Sequence, residues 1–111
     1  MEILKYLTVQ NGSTQYLEAG DLIYLGSRGE SEKRIDQALH CYQLVEKIYP
    51  DSSDLEMAWY RKAAIAWRHQ SNPQNALAQI NSLLAKFPSG RMMFEAEDMR
   101  TDLMRELSNA A

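Results

Sequence analysis

The side chains in this chain that could do chemistry are few and scattered. Cys41 is the single cysteine, so the sequence offers neither an intrachain disulfide nor a cysteine-pair zinc site. It stands between His40 and Tyr42 in a strongly helical stretch, where a small apolar residue at a helix contact is the simplest reading. His40 and His69 fall on different predicted helices, with no carboxylate or cysteine at metal-ligand spacing. Both are read as surface or half-buried. Glu95, Glu97, Asp98 and Asp102 concentrate carboxylates near the C-terminus, and paired carboxylates can do acid–base work. No pocket-forming element encloses them, so they read as a solvated helical face. Gly26-Ser27-Arg28-Gly29 follows no strand, which makes it a helix breaker and not a phosphate cradle. The expectation is a protein that is not an enzyme, with no catalytic, cofactor-binding or metal site.

Composition narrows the class further. The chain has 111 residues, 45% hydrophobic and 24% charged, the profile of one ordinary globular domain. A formal charge of −3 lacks the basic footprint of a nucleic-acid binder, so no nucleic-acid partner is expected. No stretch approaches the roughly 18 apolar residues of a membrane span. Met1-Glu2-Ile3-Leu4-Lys5 has neither the basic start nor the long apolar run of a secretory leader. That favours the cytoplasm, or the periplasm if a leader has been removed.

The elements that would position any site are helices. Residues 1–12 suit a short helix or an extended arm, with Ile3, Leu4, Leu7 and Val9 apolar and Asn11-Gly12 as a turn. Ser13 caps a predicted helix to about Ser27, stopped by Gly26 and Gly29. A second restarts at Ser31 with the stripe Ile35, Ala38, Leu39, Tyr42, Val45, Ile48 and Tyr49, and Pro50 ends it. A third covers about 54–70 with Leu55, Ala58, Trp59, Ala63, Ala66 and Trp67. Asn72-Pro73 then reads as an N-cap followed by proline at the first helical position. The fourth helix buries Ala76, Leu77, Ile80, Leu83, Leu84 and Phe87. Pro88-Ser89-Gly90 breaks the chain before a last amphipathic helix from about Arg91 to Leu107. Trp59 and Trp67 are assigned to inter-helix seams.

One spacing organises these elements. Tyr49-Pro50 and Phe87-Pro88 lie 38 residues apart, as do Ala38 and Ala76, Leu39 and Leu77, Tyr42 and Ile80, and Val45 and Leu83. A shared period of this length marks stacked supersecondary units. Gly26, Ala38, Tyr42 and Pro50, then Ala64, Trp67, Ala76, Ile80 and Pro88, resemble the tetratricopeptide repeat pattern. That family repeats a helix–turn–helix of about 34 residues, with small residues where two helices approach and large ones filling the gaps. Gly29 departs from the pattern, standing where an aromatic belongs. The extra turn and the wording Tyr49-Pro50-Asp51-Ser52 are similar to a subfamily found in bacterial envelope-assembly proteins.

The resemblance implies an all-α fold: a right-handed α-solenoid of antiparallel helix pairs, about five helices. It divides the chain into an arm at 1–12, repeats at 13–52 and 53–90, and a capping helix at 91–108. It also implies a concave groove lined by Ile23, Ser27, Arg61, Ile65, Arg68, Met99 and Leu103. Arg61 and Arg68 would be its anchors, since guanidinium binds carboxylates bidentately. Ile23 and Ser27 stand where some members carry a clamp for a chaperone's C-terminal carboxylate, so that ligand is not expected. The implied function is binding a peptide segment or helix of another protein, alternatively homo-oligomerisation as a scaffold. A homodimer is favoured, through Ile3, Leu4 and Leu7 at one end and Met99, Leu103, Met104 and Leu107 at the other. Methionine suits such a contact because its side chain adapts.

Overall fold

A computed structural model describes residues 17–109. Among them the chain forms five helices and no strand: α1 (Ala19–Ser31), α2 (Ile35–Ile48), α3 (Leu55–Arg68), α4 (Pro73–Lys86) and α5 (Met93–Asn109). The all-α expectation holds, and the packed helix pairs fit the building unit of an α-solenoid. The readings made of residues 1–12 lie outside the described residues, as does Ser13, but the helix expected to start there begins instead at Ala19, capped by extended Glu18, whose backbone N–H donates to Asp21 Oδ2 at 2.9 Å.

The period seen in the sequence returns in the backbone. α2 and α4 are both 14 residues long and begin 38 residues apart, at Ile35 and Pro73. Each follows a residue in the left-handed region, Lys33 (φ 63°) and Ser71 (φ 50°), again 38 apart. Each ends on a capping aromatic whose N–H reaches back one turn, Tyr49 to Val45 O at 2.9 Å and Phe87 to Leu83 O at 2.8 Å. The turns that follow match bond for bond. Ser52 N donates to Tyr49 O and Gly90 N to Phe87 O; Leu55 N donates to Ser52 O and Met93 N to Gly90 O. Proline after the aromatic cannot continue the helix, and the same few bonds then launch the next one. At the start of α4 the Asn72 side chain accepts from Asn75 N at 3.1 Å, the cap expected ahead of Pro73.

Two compact units divide between Ala58 and Trp59, within α3. In the first, α1 and α2 form an antiparallel hairpin, because contacts move down one helix as they move up the other. Gly29 faces Ala38, Gly26 faces Tyr42, and the Tyr49 hydroxyl donates to Leu17 O. Tyr42 is wholly buried, and its hydroxyl finds a partner in Glu30, as a buried phenol must.

Here the structure corrects the sequence reading. α1 does not stop at Ser27: it runs through Gly26 and Gly29 to Ser31, and both glycines are buried. A Cβ at Gly26 would come within 2.5 Å of Tyr42, and one at Gly29 within 3.2 Å of the Ala38 backbone N. These glycines are contact surfaces, not breakers. α2 accordingly begins at Ile35, after the turn Glu32-Lys33-Arg34, and not at Ser31.

The core of the second unit joins three helices. α3 supplies Ala63, Ala64 and Ala66; α4 supplies Ala76, Ile80 and Leu83; α5 supplies Ala96, Met99 and Leu103. Alanines on α3 let its neighbours approach closely while the branched residues opposite fill the space. Trp59 closes one end, edge-on to Phe87 at 5.9 Å between ring centroids. That contact agrees with the seam assigned to Trp59.

Candidate interaction site

Between α3 and α5 lies an open cleft of about 160 Å³. α3 contributes Tyr60, Trp67 and Arg68, and α5 contributes Glu95, Asp98, Met99 and Asp102. Helical spacing explains both walls. Tyr60 and Trp67 are seven residues apart and share a face of α3, while Glu95, Asp98 and Asp102 recur at three and four along α5. Met99 is buried at the base, and the three carboxylates are exposed.

Trp67 is held across the cleft. Its indole Nε1 donates to Glu106 Oε1 at 3.2 Å, which fixes the ring plane between the two helices. The Arg68 guanidinium carbon lies 5.4 Å from the centroid of that ring, inside the range of cation–π attraction. Asp102 is paired with Arg105 at 3.2 Å. Glu95 and Asp98 have no hydrogen-bond or ion-pair partner among the described residues. The cleft therefore combines an aromatic wall with two exposed carboxylates that make no ion pair among the described residues.

The seven groove residues expected from the sequence are placed unevenly. Arg68 and Met99 line the cleft. Ile65 and Leu103, 38 residues apart, are both fully buried, and Met99 is 3% exposed. The interior holds these three, so the partner surface drawn through them needs correcting. Met99 reaches the cleft only as its floor. Arg61 is half-buried on α3, while Ile23 and Ser27 are half-buried on α1 in the first unit. The apolar C-terminal stripe drawn for a homodimer is corrected in the same way: Met99 and Leu103 face inward, Leu107 is half-buried, and Met104 remains exposed.

Three residues of the cleft were read differently from sequence. Trp67 packs against the core at the α3–α5 seam, as assigned, whereas Glu95, Asp98 and Asp102 were placed in a solvated face. The acids are solvated, but they also form one wall. The signal available was the spacing of Glu95, Asp98, Asp102 and Glu106, which puts four acids along one side of α5.

The remaining chemical candidates are quiet. Cys41 is fully buried, and desolvation pushes its thiol up to about 12, which disfavours the reactive thiolate. Arg28 of the Gly-Ser-Arg-Gly stretch bonds Glu32 one turn on at 3.0 Å. Among the described residues no group of three or more His, Cys, Asp or Glu side chains is arranged to hold a metal ion. Comparison with protein-family models, with curated proteins and with solved structures gives no match.

Proposed function

We propose that this chain is a tetratricopeptide-like interaction module that binds a segment of another protein and catalyses no reaction. The observation that carries this reading is the α3–α5 cleft. It is open, walled by Tyr60 and Trp67 and floored by Met99, and aromatic anchors dominate peptide and protein contacts. The scaffold supports the family resemblance: Gly26, Ala38, Ala64 and Ala76, the small positions of the pattern, are all buried. No helix among the described residues is long and apolar enough to cross a membrane, and the cytoplasm is the compartment proposed.

A photo-crosslinking amino acid tests it. Placed at Tyr60 in the protein expressed in its host, it captures a discrete partner. At Gln43 on α2 or Ser82 on α4, both exposed positions away from the cleft, it captures none. Equal capture from all three positions, or none from Tyr60, rejects the cleft as the binding surface.

A second reading, self-association, is favoured by Phe94 at 70% and Met104 at 54% exposure on α5. Sedimentation at micromolar concentration separates the two. A dimer lost on Phe94→Glu with Met104→Glu supports self-association through α5, and a monomer excludes it.

A further inference from the structure

We infer that the segment entering the α3–α5 cleft is basic and presents an arginine or lysine side chain between Trp67 and the Glu95–Asp98 edge. This rests on the interaction reading above and adds the chemistry of the partner. The argument is charge complementarity at an aromatic wall. Three carboxylates line the cleft against one guanidinium, Arg68. Asp102 is already engaged by Arg105, while Glu95 and Asp98 make no ion pair among the described residues. An acidic segment would meet that excess of like charge, whereas a basic one relieves it.

The aromatic wall points the same way. An indole face attracts cations more strongly than the other aromatic rings, and the site's own Arg68 already takes up that geometry on Trp67. Glu106 holds the indole N–H, so the ring is oriented before any ligand arrives, which reduces the ordering required on binding. Arginine suits the site best. Its planar guanidinium can stack on the ring and reach a carboxylate with paired N–H donors at the same time. The small volume of the cleft admits a side chain on an extended segment and not a whole helix.

The test uses three capped pentapeptides: acetyl-Gly-Arg-Leu-Arg-Gly-amide and its counterparts with Glu or Gln in place of both Arg. Each is titrated into the full chain and followed by NMR at the Trp67 indole and the Asp98 and Met99 amides. The basic peptide shifts these signals, weakens as salt is raised, and binds at least fivefold more weakly to Glu95→Gln with Asp98→Asn. Both changed side chains are exposed, and circular dichroism confirms that the variant is folded. Equal or tighter binding of the acidic or neutral peptide overturns the inference while leaving the interaction reading standing. So does basic-peptide binding that the double variant leaves unchanged. Silence from all three peptides, with capture from Tyr60 intact, likewise removes only the basic partner. Loss of that capture removes the cleft itself.

Discussion

Gly26→Ala tests the packing on which the first hairpin depends. A Cβ there would stand 2.5 Å from Cε1 and 2.7 Å from Cζ of Tyr42. Ordinary contact begins at 3.4 Å, so the ring would have to retreat by about 0.9 Å (3.4 minus 2.5). It has little room to do so, being wholly buried and tethered through its hydroxyl to Glu30. Overpacking costs about 1–3 kcal/mol, and a rigid ring belongs at the upper end. Alanine returns about 1 kcal/mol of helix propensity, leaving a net loss of about 2 kcal/mol. For a domain of this size that lowers Tm by about 8 °C.

Two controls lie on the same helix. Gly20→Ala meets only Asp54 Oδ2, at 3.9 Å, and stabilises by up to about 1 kcal/mol. Gly29→Ala meets backbone at 3.2 Å and falls between the two. The second hairpin supplies the rescue: Ala64 and Ile80 stand 38 residues beyond Gly26 and Tyr42. In a Tyr42→Ile background the alanine should cost about 2 kcal/mol less than in the wild type, a coupling within the range seen for touching residues. Urea and thermal unfolding followed by circular dichroism measure all five variants. A Gly26→Ala protein that melts at or above the wild-type temperature refutes the reasoning, as does an equal cost in both backgrounds.

Other outcomes follow from the same geometry. Ala38→Leu and Ala76→Leu, both at fully buried positions, each destabilise by roughly 1–3 kcal/mol, and wild-type melting of both would contradict the 38-residue register. Lys33→Gly and Ser71→Gly relieve a left-handed backbone held by a non-glycine residue and raise stability by about 0.5–1 kcal/mol in urea titrations. The Cys41 thiol resists a disulfide reagent at pH 8 in the native chain and reacts fully in denaturant. Its folded pKa of about 12 lies above the ordinary 9.0, so the folded state keeps the proton longer. Its contribution is constant below pH 9 and is lost as pH rises towards 12, so Cys41→Ala flattens that alkaline decline.

How much of this was legible in the sequence differs between fold and site. The ends of α2 and α4 were readable because Pro50 and Pro88 act locally, and Asn72-Pro73 announced its own cap. α1 was misread because the helix penalty of Gly26 and Gly29 is also local, whereas its compensation lies 16 and 9 residues away at Tyr42 and Ala38. Among the expected groove residues, Ile65 and Leu103 were misplaced for a related reason. A repeat pattern fixes which positions correspond, but burial depends on how each helix is rotated about its axis. The cleft was invisible because its walls come from helices about a repeat apart, joined by contacts such as Trp67 to Glu106 at a separation of 39 residues.

The period also shows where the two copies differ. Position 29 in α1 and position 67 in α3 correspond, yet one is glycine and the other tryptophan. Gly29 spends its lack of a side chain on a close approach to Ala38, while Trp67 extends to Glu106 and forms the cleft wall. The next position changes sign, Glu30 against Arg68. Glu30 accepts from buried Tyr42, whereas Arg68 is exposed beside the indole. In the first unit both positions serve packing, and in the second Trp67 packs on the core while also lining the cleft and Arg68 is exposed. The bonds that launch α2 and α4 correspond, Ala38 N to Arg34 O and Ala76 N to Asn72 O, whereas those that end α1 and α3 do not: Arg34 N donates to Gly29 O at 2.7 Å, but Asn72 N donates to Ala66 O at 2.8 Å. The period is therefore kept where α2 and α4 begin and end, and the two copies diverge at the ends of α1 and α3, where the cleft residues Trp67 and Arg68 stand.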